Sequence, residues 1–305
     1  METEFIAWLR SRLPASQQSG VVVGIGDDAA VLDLPPGPGT LVTVDMLTDG
    51  VDFRLADVDP RRVGRKALAV NLSDIAAMAG RPIAAFVAVA LPRDGAATLA
   101  RQLFEGLAPL AERYGVALAG GDTNTWDGPL VISITLLGQA SSRGPLTRRD
   151  ARPGDAILVT GSLGGSILGH HFDFEPRIDE ALLLHERYEL HAGIDTSDGL
   201  SLDLSRLCTE SRVGAELELT AVPVSAAARE LATTDGRSPL DHALADGEDF
   251  ELILAVEPTS AERIIAEQPL AVPVTRIGRI VERPGLWSID AAGSRTLLTP
   301  RGWQH

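Results

Sequence analysis

Aspartate recurs in this 305-residue chain in one setting, directly after an apolar run with Gly, Ser or Thr close by. Asp27 and Asp28 follow Val21-Val22-Val23 and a Gly-x-Gly turn, Asp45 follows Leu-Val-Thr-Val, and Asp122 follows Val-Ala-Leu-Ala-Gly-Gly. Asp195 and Asp198 stand in GIDTSDGL, and Asp246, Glu248 and Asp249 in ADGEDFEL. The C-terminal ends of strands are where open α/β folds gather ligand groups. Any one of these acids alone reads as a turn or cap residue. Asp74 differs: it is the one charge in ALAVNLSDIAAMAG, on a helical face shared with Ala67, Val70, Asn71 and Met78. An ionised carboxylate on such a face requires compensation. A solvent-facing Asp, a pair with Arg81, and a metal ligand are the readings open for it.

Taken together, the acids point to hard divalent cations. Mg²⁺ takes oxygen ligands and sits between carboxylates and substrate phosphates. Several such ions offset the charge of a nucleotide triphosphate, and phosphoryl transfer asks mainly for positioning and charge stabilisation. Other nucleotide chemistries lack their signatures. There is no G-x-x-x-x-G-K-[ST], GIGDDA lacks the last Gly of the dinucleotide motif, and H-R-D, D-F-G, G-x-S-x-G and H-E-x-x-H do not occur. GSLGG (161–165) reads equally as a phosphate cradle at a helix start or as a plain turn. His170-His171 reads as a surface pair rather than a ligand.

Composition narrows the partners. A net charge of −15, from 27 basic and 42 acidic residues, and 4% aromatics exclude the basic, base-stacking footprint of a nucleic-acid binder. One cysteine, Cys208, leaves neither an internal disulfide nor a zinc cluster. METEFIAWLR is not a signal peptide, and no apolar run reaches the length of a membrane span, so the expected location is the cytoplasm.

The elements that must position the acids alternate between strand and helix, which implies a two-domain α/β (α+β) protein. Residues 3–13 have helical spacing, 21–24 and 41–45 read as strands around the turn PPGPG, and Asp59-Pro60 opens a helix running to about Gly80. Strand 84–91, a helix capped by Asp94 and ending near Gly115, and strands 116–119 and 130–137 complete the first half. The Ser/Gly/Pro-rich stretch 141–155 carries the boundary, giving domains 1–142 and 143–305. The second half reads as strands 156–160, 215–219, 250–256 and 275–280, with helices near 178–190, 199–211, 225–234 and 259–267.

The ordered set GIGDDAA, TVDML, GVDF, KALAVNLSDIAAM, GGDT, LTRRDARPGD, GSLG, IDTSDGL and GEDFEL resembles the thiamine-monophosphate kinase family of the aminoimidazole-ribonucleotide-synthetase-like superfamily, from about residue 4 to the terminal GWQH. The resemblance implies an N-terminal domain whose sheet dimerises, a C-terminal α/β domain completing the substrate site, and a homodimer with ATP and Mg²⁺ near its interface. It implies direct transfer of the ATP γ-phosphate to thiamine monophosphate, with no covalent intermediate and no catalytic side chain beyond those that position substrates and metal. The implied ligands of several Mg²⁺ ions are Asp28, Thr43, Asp45, Asp74, Asp122, Asp195 and Asp198, with Asp27 as an additional candidate. Gly121, Asp122, Arg148 and Ser197 are the implied ATP contacts, and Glu248 and Trp303 the implied thiamine contacts. Departures cluster near the acceptor side. Asp52 stands where the family pattern G-x-H-F has a substrate-facing His, Val44 where many members have Thr, and Asp246 where a small residue precedes G-E-D. The segment between GSLGG and GIDTSDGL (166–191) is also shorter than usual.

Overall fold

The structure, a computed structural model, describes residues 8–9, 11–13, 20–23, 31–34, 36–290 and 292–303. Asp27 and Asp28 lie outside the described residues, as does most of the expected 3–13 helix, of which residues 8, 9, 11 and 12 are helical. The chain divides into two compact units, one taking residues up to Ile75 and Arg81–Ala140, the other Ala76–Gly80 and Ser141 onward.

In the first unit, β1 (Val21–Val23) pairs with β2 (Val31–Leu32). A four-stranded sheet holds β3 (Thr40–Thr48), β4 (Gly80–Pro92), β5 (Ala117–Trp126) and β6 (Val131–Ala140) in the order β3-β6-β4-β5. Two long helices, α1 (Pro60–Ala77) and α2 (Ala96–Arg113), accompany it. The Asp59 carboxylate accepts the Arg61 amide at 2.9 Å, so the expected helix start is as observed. The helices touch through glycine: a Cβ on Gly64 would lie 2.0 Å from the Leu103 carbonyl oxygen, and one on Gly106 1.8 Å from that of Arg61.

Several sequence expectations need correction. The α1 helix stops at Ala77, Ala79 rather than Gly80 takes the left-handed turn (φ 50°), and Gly80 already opens β4. Gly95, not Asp94, is the N-cap of α2, with no side-chain cap bond. The strand expected over 116–119 does not stop there: β5 runs on through Gly-Gly-Asp and Thr-Asn-Thr-Trp, pairing in parallel with β4 from Ala84↔Ala117 to Pro92↔Trp126. Ladder pairing overrides the turn preference of Gly-Gly-Asp. Asp45 likewise sits inside β3, opposite Ile134 of β6, not at its end.

The second unit is built on a seven-stranded mixed sheet. Its strands are β7 (Ala156–Thr160), β8 (Leu190–Asp195), β9 (Gly214–Leu217), β10 (Leu252–Val256), β11 (Val274–Val281), β12 (Gly285–Ile289) and β13 (Arg295–Leu298), ordered β13-β12-β9-β11-β7-β10-β8. Its helices are α3 (His170–Asp173), α4 (Ile178–Arg187), α5 (Leu200–Ser211), α6 (Ala226–Asp235), α7 (Pro239–Ala245) and α8 (Pro258–Glu267). Every residue of β7 and β10 is buried, so apolar AILVT and LILAV fill the centre of the core. The helix expected over 178–190 ends at Arg187, and LHAGID becomes β8 because it finds a full antiparallel partner in β10. The short α3 and α7 and the β12–β13 hairpin carry no clear period in sequence. His171 is buried, its Nδ1 2.7 Å from the Ser166 carbonyl, so only His170 of that pair is at the surface.

Candidate active site

The first unit supplies an acid cluster on β3 and α1. Side chains alternate along β3: Leu41 and Leu47 are buried, while Val42, Val44 and Met46 are exposed on the other face. Thr43 and Asp45 have the parity of the buried pair, so the ladder turns a carboxylate inward. The Thr43 hydroxyl donates to Asp74 Oδ2, joining β3 to α1. Asp45 Oδ2 is buried with no hydrogen-bond partner among the described residues. Burial, reinforced by the charges of Asp74 and Asp52, pushes the Asp45 carboxyl up to about 7. Asp52 Oδ2 accepts the Thr48 amide at 2.7 Å, and the Asp52 carbonyl accepts from the fully buried Lys66 ammonium at 2.9 Å.

Asp122 is not part of this cluster within one chain. It is exposed on β5, the opposite edge strand from β3, about 14 Å away across three strand spacings. Its Oδ1 accepts the adjacent Thr123 amide at 2.9 Å. Gly121 beside it is dictated by packing, since a Cβ there would lie 1.9 Å from the Val87 carbonyl oxygen.

The second unit gathers the remaining candidates around the turn after β8. Asp195 closes β8 and is buried, and Asp198 stands three residues on, before α5. The Glu248 amide donates to the Ser197 carbonyl at 2.7 Å, and the Trp303 amide to the Asp198 carbonyl at 3.0 Å. A Cβ on Gly302 would lie 2.2 Å from that same Asp198 oxygen, so the C-terminal Gly-Trp passes hard against the turn. Ser197, Asp198, Glu248 and the half-exposed Trp303 thus form one loop cluster. Arg148 is exposed, and its carbonyl accepts the Ser211 hydroxyl at 2.5 Å, fastening the linker to the end of α5.

Three groups escaped the sequence reading. Asp203, fully buried in the first turn of α5, accepts the amides of Asp198 (2.9 Å) and Gly199 (3.0 Å). Burial pushes its carboxyl up to about 6. Arg206 donates to both Asp198 and Asp203, so Asp198 carries a guanidinium partner. An acid in a first helical turn after Gly was the available signal. Glu251, 3% exposed at its side chain, is held bidentately by Arg177 (2.8 and 2.5 Å) and accepts from Thr160 at 2.6 Å. Nothing local in the sequence marks a pair 74 residues apart. The GSLGG turn settles on the plainer of its two readings: the Gly164 amide donates to Asp249 Oδ1 (2.8 Å) and the Gly165 amide to Asp246 Oδ2 (2.9 Å). The cradle holds the protein's own carboxylates.

Two family matches tile most of the chain. Residues 26–140 match AIR synthase related protein, N-terminal domain, and residues 152–289 match AIR synthase related protein, C-terminal domain. The thiamine-monophosphate kinase of Rhodopirellula baltica is 48% identical over 312 residues, which span 100% of this chain and 97% of that protein. The chain belongs to the thiamine-monophosphate kinase family. Solved thiamine-monophosphate kinase structures share its fold. That from Stenotrophomonas maltophilia K279a is 33% identical with a TM-score of 0.79, over 93% of this chain and 95% of that one. The structure of AaThiL complexed with AMPPCP and TMP is 28% identical with a TM-score of 0.78, over 100% of this chain and 96% of that one. The two-domain α/β fold read from the motifs is the fold of this kinase family. Against that background, the Asp52 carboxylate has a local task in this chain, holding the Thr48 amide.

Proposed function

We propose that the protein transfers the γ-phosphoryl group of ATP directly to thiamine monophosphate, giving thiamine diphosphate and ADP. The observation that carries this reading is the 48% identity, over the whole chain, to a thiamine-monophosphate kinase. The acceptor is a phosphate monoester whose oxygen is a competent nucleophile at neutral pH, so the protein's task is alignment and charge stabilisation. Gly121, Asp122, Arg148 and Ser197 are the proposed ATP contacts. Glu248 and Trp303, brought to one loop cluster with Ser197, are the proposed thiamine contacts.

Mg²⁺ is part of the proposal. Among the described residues no three acids, histidines or cysteines converge closely enough to enclose a metal by themselves. Mg²⁺ binds through one or two carboxylates and completes its shell with water and substrate phosphates. The orphaned, buried Asp45 oxygen and the Thr43–Asp74 pair are a hard-oxygen donor set of that kind. Asp195, Asp198, Asp122 and Asp28 are proposed to serve further ions. Bound Mg²⁺ supplies the positive charge that an acidic protein needs against a triphosphate.

We further propose a cytoplasmic homodimer. Val42, Val44 and Met46, each at least 60% exposed on one face of β3, offer an apolar sheet face suited to a second copy. Asp122, on the other edge of that sheet, would then serve a site near the interface. No helix among the described residues is long and apolar enough to cross a membrane.

The test is product analysis with ATP, Mg²⁺ and thiamine monophosphate, following ADP and thiamine diphosphate together. Equal formation of both is expected. ADP without thiamine diphosphate would assign the ATP site to another acceptor.

A further inference from the structure

Glu248 sits at the apex of a loop that the chain holds in an unfavourable backbone conformation. Gly247 (φ 76°), Glu248 (φ 54°) and Phe250 (φ 52°) are all left-handed, a region that residues with a Cβ seldom enter. Such conformations persist where surrounding contacts over-determine them. Here the contacts come in pairs on either side of Glu248. Asp246, two residues before it, accepts the Gly165 amide at 2.9 Å; Asp249, one residue after it, accepts the Gly164 amide at 2.8 Å. The Ser166 hydroxyl donates to the intervening Gly247 carbonyl at 2.7 Å. On the other side, the amides of Glu248 and Phe250 donate to the carbonyls of Ser197 (2.7 Å) and Thr196 (3.0 Å).

The receiving turn cannot shift to follow the loop. A Cβ on Gly164 would meet the His242 and Ala243 backbone at 2.6 Å, and one on Gly165 the Ala228 backbone at 2.4 Å, so both glycines are wedged against α7 and α6. The Asp246 carboxylate is itself fixed. Its Oδ2 lies 2.8 Å from Nδ1 of the fully buried His242, and its Oδ1 accepts from Arg237 Nη1 at 2.8 Å. The other His242 nitrogen lies 3.2 Å from Asp235 Oδ1. This chain thus has a side chain at position 246 that reaches back to an adjacent turn and is braced from behind.

We propose that Asp246 and Asp249 are positioning residues for the phosphate acceptor, clamping the 246–250 loop onto the GSLGG turn so that Glu248 is held ready for substrate. The inference rests on the reading of Glu248 as a thiamine monophosphate contact. Pre-organisation of this kind appears in acceptor affinity and not in the ATP half of the reaction.

The experiment is steady-state kinetics with ATP and thiamine monophosphate on Asp246→Ala, Asp246→Asn, Glu248→Ala and the Asp246→Ala/Glu248→Ala double variant. Asp246→Ala is expected to raise KM for thiamine monophosphate roughly tenfold, with kcat and KM for ATP unchanged. Asp246→Asn, whose amide oxygen still accepts from Gly165 but whose NH2 cannot accept from Arg237, should recover part of that loss. In the Glu248→Ala background the Asp246→Ala change should add nothing, because its effect runs through Glu248. An equal KM increase with and without Glu248, or an Asn variant as impaired as Ala, overturns the proposal alone. If Glu248→Ala leaves KM for thiamine monophosphate unchanged, the reading of Glu248 falls and the proposal with it. Asp249→Asn against Asp249→Leu makes the same comparison from the other side of the loop, and replaces the first pair should Asp246→Ala not fold.

Discussion

Asp45 offers the sharpest test of the acid cluster. In the metal-free protein its carboxyl is pushed from 3.8 to about 7, by burial first and then by Asp74 and Asp52. The folded state therefore keeps a proton that the unfolded chain gives up near pH 4, and stability falls as pH rises between those values. At about 1.4 kcal/mol per tenfold difference in proton affinity, the ionised carboxylate costs the fold ~4 kcal/mol once pH exceeds 7. At pH 5 the folded group is still protonated and the cost is only about 1–2 kcal/mol. Asp45→Asn removes the titration and keeps the shape. In urea denaturation with EDTA, the variant should be more stable than the parent by about 4 kcal/mol at pH 8 and by only about 1–2 kcal/mol at pH 5. Mg²⁺ should narrow the gap at pH 8 by binding the parent's carboxylate, while the variant responds weakly. A gain independent of pH, or a variant less stable than the parent at pH 8 in EDTA, would refute the argument that Asp45 is a buried acid held against like charges.

Three further predictions concern the scaffold. Arg177→Met strands Glu251, whose side chain is 3% exposed, and should cost about 3–5 kcal/mol in chemical denaturation. Gly106→Ala places a methyl group 1.8 Å from the Arg61 carbonyl oxygen. The helices must separate, and thermal melting should register a loss of about 1–3 kcal/mol. Cys208 is buried and its thiol is pushed up to about 12, so a thiol-specific chromogenic reagent at pH 8 should label it only in denaturant.

What was legible in the sequence, and what was not, follows from the range of the interactions involved. The α1 helix start at Asp59-Pro60 and the end of α2 near Gly115 are set by caps a few residues wide, and both are as read. The burial of β7 and β10 follows from their continuous apolar runs. Strand ends were misread where pairing decided them. The strand expected over 116–119 runs on through GGDT to Trp126 once β4 supplies a partner, and residues 191–195, left without an element, join β8 against β10, while the helix expected to 190 stops at Arg187. The acids could be singled out because they recur together after apolar runs, although any one alone is an ordinary turn or cap residue. Which of them carry partners was not legible, since Arg206, Gly164 and Gly165 reach them across turns that only the folded chain closes.

That difference in partners divides the acids physically. In the second unit several carboxylates are already paired: Asp198 with Arg206, Glu251 with Arg177, and Asp246 with Arg237 and the Gly165 amide, whereas the buried Asp203 and Asp249 stay pushed up by burial despite their amide bonds, and Asp249 Oδ2 has no hydrogen-bond partner among the described residues. In the first unit Asp45 faces the charges of Asp74 and Asp52, and its buried Oδ2 has no hydrogen-bond partner among the described residues. A compensated carboxylate stabilises the fold as it stands. An uncompensated, buried one destabilises it until a cation arrives, and the strength of that cation's binding is drawn from the repulsion it relieves. On this argument the first unit is where metal binding should couple most strongly to stability. Titrating Mg²⁺ into the parent and Asp45→Asn proteins should therefore separate their melting temperatures, while Asp198→Asn should leave the apo melting temperature unchanged or lower, because Arg206 loses one of its two carboxylate partners. A large apo stabilisation by Asp198→Asn would mean that the guanidinium does not offset that charge, and the division would fail.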